Sequence, residues 1–567
     1  MILRKTSLLV AFLLLLPSAV ADCVFCSNDP TNGMISKSKE CTAERVAKGN
    51  KCIDNDIWIR DGYCQLSCFE AGRGYEGLVC CPSASVPTAS PVAPPTGGQG
   101  DAGEWSDVFD MTLIPIHTLL LPDGQVLSYG TNDNGEQGGD LFYEVWDRSN
   151  GVHHGHKLLE HRTETDVFCS SLNVDTSTGN VIVMGGDGRN IGNKGGGIKN
   201  VLEYLVDTEE VRFHPKGNMT YARWYGTSVN LPNGDIFVVG GRDEEFLGSD
   251  IPELWSPDTG FRPLPGASVP AIAANREKNY WYYPHTYVNA DGILFVIMPR
   301  KGEEVYVVDT EGQGSIEQIG RRPFTAHPRT GSLMFNVNKV AFLDDEGNIW
   351  EADISSSSTV TWTWKNNLGH ARVNGAMAML PDGRVAIVGG ADNTDVSQGT
   401  VEDAVLEIQI WDPAANTITN GPEQRIPRLY HSSAIVLVDG CVMSAGGGSP
   451  GPLTNLNGQL YCPYYGYDRP IITCPKNVAS GKTFTMIVDS TSEIVKVTAT
   501  KAGSSTHTRN CDTRWLELKF DVVDDTTLRV YVRNKNVMIG GVWMFNVINE
   551  FGVPSEASIV GVNMAAL

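Results

Sequence analysis

At 567 residues, 41% of them hydrophobic, the chain is too long for a single core and apolar enough to fill several. That excludes an intrinsically disordered chain. A formal charge of -22 and a pI near 4.9 argue against nucleic acid or an anionic membrane as partner, since both select basic surfaces, and leave neutral or small substrates.

In chain order, residues 1–21 read as a secretory signal peptide. Arg4 and Lys5 precede the apolar run Leu8 to Leu16, and Ala19-Val-Ala21 supplies the small-residue cleavage site. The run is too short to span a bilayer, and no later stretch is long enough, so the protein is expected to be secreted, extracellular and monomeric. Residues 22–82 hold eight of the 13 cysteines (Cys23, Cys26, Cys41, Cys52, Cys64, Cys68, Cys80 and Cys81) and read as a small module stapled by up to four disulfides. With Trp58, Tyr63, Phe69 and Tyr75 available for stacking on sugars, carbohydrate or cell-wall attachment is open to it. Residues 83–104, rich in Pro, Ser, Ala, Thr and Gly, form an extended linker. Asn218-Met-Thr220 is an N-glycosylation sequon, in keeping with export.

From residue 105 to 467 the chain repeats. Turn pairs at Asp123-Gly124, Thr178-Gly179, Asn233-Gly234, Asp291-Gly292, Glu346-Gly347, Asp382-Gly383 and Asp439-Gly440 mark hairpins, and their glycines are 55, 55, 58, 55, 36 and 57 residues apart. Double glycines close several second strands, at 185–186, 240–241, 389–390 and 446–447. This period predicts an all-β fold, a seven-bladed kelch-type β-propeller, and the spacing of 36 marks a trimmed blade or a misplaced turn. Residues 468–567 alternate apolar and polar in five runs, which predicts a C-terminal Ig-like β-sandwich. Five cysteines remain, Cys169, Cys441, Cys462, Cys474 and Cys511, and an odd number in an oxidising compartment leaves one to explain.

The repeat aligns the chain with itself. Counted back from the turn glycine, Cys169 lies 10 residues before Gly179, Tyr225 lies 9 before Gly234, and Tyr430 and His431 lie 10 and 9 before Gly440. A thiol, two phenols and an imidazole are thereby predicted at one level near the axis. Neighbours on a regular strand face opposite sides, so Tyr430 and His431 can meet one metal only if the backbone is irregular there. Phenolate and imidazole suit Cu(II) better than magnesium or calcium; zinc accepts them too but has no redox chemistry. His153, His154 and His156 form a second cluster without a Cys or carboxylate at ligand spacing, and are read as surface residues.

The segments Thr165-Asp-Val-Phe-Cys169-Ser, Ala222-Arg-Trp-Tyr225-Gly-Thr, Arg428-Leu-Tyr430-His431-Ser and Ser505-Thr-His507-Thr resemble the signature segments of the galactose oxidase and glyoxal oxidase family, over about residues 105 to 567. The resemblance implies one copper held by Tyr225, Tyr430, His431 and His507. It further implies a thioether from Cys169 to the Tyr225 ring that carries a radical, and Tyr430 as the base for the substrate hydroxyl proton. Such a thioether accounts for the odd cysteine and leaves Cys441, Cys462, Cys474 and Cys511 for two disulfides of unspecified pairing. The reaction implied is oxidation of a small aldehyde or primary alcohol by O2 to give H2O2. Tyr283-Pro-His-Thr-Tyr287 and Arg223-Trp224-Tyr225 are similar to the glyoxal oxidase branch, whereas His327-Pro-Arg329 stands where that family usually begins with Tyr-Pro, and Gly226 where glyoxal oxidases commonly have proline. No tryptophan is identified over the thioether; Trp224, Trp281 and Arg329 are pocket candidates read chiefly as packing. The competing readings are a galactose-oxidase-like carbohydrate oxidase, a non-catalytic kelch propeller binding glycans or proteins, and a hydrolase or lyase, for which no paired carboxylates occupy the aligned positions.

Overall fold

The computed structural model describes residues 103–565 apart from 139–141, 300–303, 394–398, 464 and 466–467, together with two short strands, Val24–Cys26 and Leu78–Cys80, which pair antiparallel. The signal segment, the disulfides and aromatic residues of the Cys-rich module, and the linker lie outside the described residues.

The described chain is almost entirely β, with one short α-helix at Pro270–Ala273. Between Glu104 and Cys462 the described residues form seven antiparallel sheets, each built around a meander, and one separate two-stranded sheet of Asp187–Gly188 with Asn193–Gly197. Their first strands are His117–Leu120, Ser171–Val174, Trp224–Asn230, His285–Val288, Ser332–Asn336, Ala376–Met379 and Ser432–Val436. These are buried along nearly their whole length, polar residues such as Thr118, Asn173, Thr227 and Ser433 included, and several neighbouring ones lie beside one another. The last sheet takes its outer strand from the start of the described chain, Glu104–Trp105 pairing with Tyr461 and Cys462.

One turn differs from the sequence expectation. In the fifth sheet the hairpin between Ser332–Asn336 and Lys339–Leu343 turns at Asn338, in the left-handed region at φ 60°, and Gly347 lies in the following turn, between the second and third strands. Asparagine tolerates that conformation without being glycine, so a search for glycine turns passes over it. The spacing of 36 is therefore a misplaced turn, and Asn338 falls midway between Gly292 and Gly383.

The double glycines have a structural partner. Arg223, Arg372 and Arg428, each at the entry to a first strand and fully buried, donate through Nη1 to the carbonyls of Gly240, Gly389 and Gly446 at 2.7, 3.0 and 2.9 Å. Those glycines have φ of 72°, 64° and 76°, where a side chain is strained.

Beyond residue 468 two sheets share a core of Met486, Val497, Leu516, Leu528, Trp543, Phe545, Val547 and Val560. One sheet is mixed: Asn477–Val478 runs parallel to Ser558–Val562. From this region the hairpin Ser504–Thr506/Arg509–Cys511 leaves its own sheets and pairs with His117–Leu120 of the first sheet, Thr506 opposite His117. At its base Lys501 and Asp512, both 2% exposed, form an ion pair, and Asn230 shares both partners.

Cys441 and Cys462 form a disulfide within the last sheet. The second expected bridge is absent: Cys474 and Cys511 are free thiols, because Cys511 is drawn into the hairpin opposite Ser504 while Cys474 interacts with Ser558. Among the described residues no helix is long and apolar enough to cross a membrane.

Breaking a buried pair strands a charge, so Lys501→Ala is expected to lower unfolding stability by about 3–5 kcal/mol. The double replacement Lys501→Met/Asp512→Leu should recover most of it. Urea titrations of the three proteins check this, and an additive loss in the double variant would contradict it.

Candidate metal centre

All five residues singled out from the sequence meet in one buried place. Cys169 directly precedes the second sheet's first strand, Tyr225 lies on the third's, Tyr430 and His431 precede the seventh's, and His507 sits at the tip of the C-terminal hairpin. The hydroxyls of Tyr225 and Tyr430 are 3.0 Å apart. Cys169 Sγ lies 3.2 Å from His507 Nε2, and the ligand atoms of Cys169, His431 and His507 are all within 4.8 Å of one another. The Tyr225 and His507 rings meet edge to face at 5.2 Å and those of His431 and His507 at 4.6 Å.

The irregular backbone required at Tyr430-His431 is present. His431 has φ 69°, and its ring stacks on that of Tyr430 with centroids 3.7 Å apart. Cys169, Tyr225 and His507 also lie at positive φ, 58°, 68° and 50°. Non-glycine residues take up this region only when their surroundings over-determine them, and such residues cluster at functional sites. Here the surroundings are explicit. Cys169 N donates to His117 Nε2 at 3.1 Å, and Tyr225 N donates to Cys169 O at 2.8 Å. Tyr283 N donates to Tyr225 O at 2.9 Å, and Thr508 N to Ser432 O at 3.2 Å. Arg509 fastens the hairpin by donating to Pro328 O at 2.7 Å, to His285 Nε2 at 3.1 Å, and to Tyr283 O.

The donors fit a soft-to-borderline metal cation. His431 Nδ1 donates to Gly448 O at 2.6 Å, which leaves Nε2 as the lone-pair nitrogen; that atom is buried and has no hydrogen-bond partner. His507 Nδ1 is engaged by Thr506 Oγ1 at 2.6 Å, likewise directing Nε2 inward. Ligating imidazoles are oriented in this way by a bond to the other ring nitrogen. Burial holds both imidazoles well below their ordinary pKa, hence neutral, the form that binds metal. Burial also pushes both phenols well above their usual range, so a cation between them is what would make phenolates stable.

Around these five stand residues that the sequence reading valued too little. Tyr282 stacks on Tyr225 at 4.6 Å and 28°. Arg329 donates from Nε to the Tyr282 hydroxyl at 3.1 Å, and its guanidinium lies 3.6 Å from the centre of the Tyr430 ring. Trp224 lies 4.2 Å and Trp281 5.9 Å from Tyr225, both tilted. The uninterrupted run Trp281-Tyr282-Tyr283 was the available signal. His117, its pKa pushed down to about 3 by burial, stacks on Tyr129 and supports Cys169; nothing in its sequence context marks it. In the cluster at 153–156, His153 and His154 are exposed, while His156 stacks on Trp146 and bonds Glu144 at 2.6 Å.

Residues 352–462 match the glyoxal oxidase N-terminus family, and residues 469–562 the galactose oxidase-like, early set domain. A galactose oxidase of Gibberella zeae is 25% identical over 579 residues, covering 94% of this chain and 82% of its own length. The aldehyde oxidase GLOX1 of Arabidopsis thaliana is 24% identical over half of this chain and 49% of its own. A copper-bound fungal alcohol oxidase of the AA5 family superposes with a TM-score of 0.71 at 22% identity, over 81% of this chain and 99% of that one, and so shares its fold. The two matched domains, the near full-length alignment and the shared fold make this chain similar to the galactose oxidases and glyoxal oxidases, the copper radical oxidases.

Proposed function

We propose that the chain is a secreted copper radical oxidase of small aldehydes or primary alcohols, with Tyr225, Tyr430, His431 and His507 as copper ligands and a Cys169–Tyr225 thioether as its radical group. The observation that carries this reading is the convergence of two phenol oxygens and two neutral imidazoles in one buried place, with His431 Nε2 lacking any partner within the protein. In this reading the seven sheets are propeller blades with their first strands innermost, the C-terminal sheets form the Ig-like sandwich, and the domain limits are those expected from the sequence. The Cys-rich module serves attachment to carbohydrate or wall, and the protein acts as a monomer.

A bound copper ion supplies a one-electron couple, which together with a hole on Tyr225 accounts for the two electrons an alcohol or hydrated aldehyde loses, and dioxygen carries them away as hydrogen peroxide. The side chains do the rest. Tyr430 Oη receives the substrate hydroxyl proton. Arg329, stacked on the Tyr430 ring, favours its phenolate and pins the Tyr282 hydroxyl. Tyr282 covers the Tyr225 ring and shields its radical from water. Cys169, whose thiol hydrogen-bonds the Tyr225 side chain, loses its hydrogen and the ring loses one as the carbon–sulfur bond forms, dioxygen being the oxidant.

Two observations pull substrate choice apart. Tyr283-Pro-His285 favours the aldehyde oxidases, whereas the galactose oxidase aligns over far more of the chain. Peroxide release over glyoxal, methylglyoxal, glycerol, galactose and longer primary alcohols ranks them, with the small aldehydes expected first. The distances alone also allow a zinc site of Cys169, His431 and His507, but that site has no use for Tyr225 and Tyr430.

Mass spectrometry of tryptic peptides from copper-treated protein should show the Cys169 and Tyr225 peptides joined, two hydrogens lighter than their sum. Peptides that run apart would leave the zinc reading standing. Tyr225→Phe should abolish peroxide production while leaving the melting transition in place. Thr506→Val, which frees the His507 ring from its orienting bond, should weaken copper binding by about 10- to 100-fold in a chelator competition. An unchanged affinity would show that Thr506 does not orient the ligand.

A further inference from the structure

Tyr225 is 6% exposed, so an oxidant in solution cannot touch the ring that must give up an electron before the first turnover. Of its ring neighbours, Tyr282, Trp281, Tyr283 and His507 are buried. Trp224 alone, among the described residues, both packs on Tyr225 at 4.2 Å and is partly exposed. Outside it stands Arg242, its guanidinium carbon 4.8 Å from the Trp224 ring and 4.9 Å from that of Phe246, which is 47% exposed.

Two features decide what happens to an electron hole placed on Trp224. Its indole N–H is buried with no acceptor, so the oxidised ring cannot settle by handing its proton to a neighbour. The Arg242 cation over the ring opposes a second positive charge there. A hole on Trp224 is thus less stable than one on the phenolate of Tyr225, and it moves inward.

Resting on the reading of Tyr225 as the radical residue, we propose that Trp224 is the relay through which a one-electron oxidant at the protein surface arms Tyr225. Trp224 gives one electron to the oxidant and takes one from Tyr225. The net change is Tyr225 oxidised by one electron and the oxidant reduced by one. In the copper-loaded protein Tyr225 is a phenolate, so no proton moves. Packing of Arg242 on Trp224 also braces the strand against Gly195, whose carbonyl Arg242 meets, but bracing alone makes no demand that the ring be oxidisable.

The test mixes copper-loaded protein with excess hexacyanoferrate(III) and follows the phenoxyl absorbance by stopped flow. Trp224→Phe keeps an aromatic ring but resists oxidation, and should slow radical appearance at least about tenfold. Its copper EPR spectrum and Cys169–Tyr225 cross-link should be unchanged. Trp224→Tyr, with an oxidisable ring, should recover most of the rate. Arg242→Gln, which removes the opposing charge, should raise it. A Trp224→Phe rate equal to wild type overturns the relay, as does a slower Arg242→Gln protein. Wild-type protein that yields no radical overturns the reading of Tyr225 itself, an outcome visible before any variant is compared.

Discussion

The backbone pairing of Ser504–Thr506 with His117–Leu119 brings His507 to residues hundreds of positions earlier in the chain, and every distance from His507 to the rest of the centre depends on it. The hairpin belongs by sequence to the C-terminal sheets, yet its hydrogen bonds are spent on the first sheet and its side chains on the fourth and fifth, through Arg509 to His285, Tyr283 and Pro328. The buried Lys501–Asp512 pair closes its base. A loop held only by its own turn would fray around one or two contacts; this one is fixed along both edges, which keeps His507 within a fraction of an ångström of its partners.

The same economy governs the other residues of the centre. Positive φ at Cys169, Tyr225, His431 and His507 costs roughly 1–3 kcal/mol each. The conformation lets consecutive residues such as Tyr430 and His431 face one point, which a regular strand forbids. Bonds from Cys169 N to His117, from Tyr225 N to Cys169 O and from Tyr283 N to Tyr225 O offset the cost and link one strained residue to the next. His117 is suited to this work because burial keeps it neutral and therefore an acceptor at Nε2.

Much of this was legible in the sequence because repeats carry register. Counting back from turn glycines put Cys169, Tyr225, Tyr430 and His431 at one level, and the structure places them together. The count failed at the fifth sheet, where Asn338 does what glycine does elsewhere. His507 could not be reached by counting, since it comes from outside the repeat and only the family resemblance named it. Tyr282 and Arg329 were in view but undervalued: periodicity tells which residues are buried, and says nothing about which of two buried rings lies against a third. A second disulfide among Cys441, Cys462, Cys474 and Cys511 was expected from parity alone, and parity does not know that the Cys511 thiol sits in a hairpin threaded among the first strands.

Three free thiols in the described chain pose a question of selectivity. Burial pushes Cys474 up to about 12, Cys511 up to about 11 and Cys169 well above its usual value, so none presents a thiolate to an oxidising exterior. Disulfide exchange requires that thiolate. What sets Cys169 apart is therefore not acidity but its neighbour, the Tyr225 side chain within hydrogen-bonding reach of its sulfur. Under the proposed reading, with copper held beside it, a thiol that is inert toward other thiols yet held against a phenol is directed to carbon–sulfur chemistry by exclusion of the alternatives. Burial, which weakens Cys169 as a nucleophile, is thus what reserves it for Tyr225.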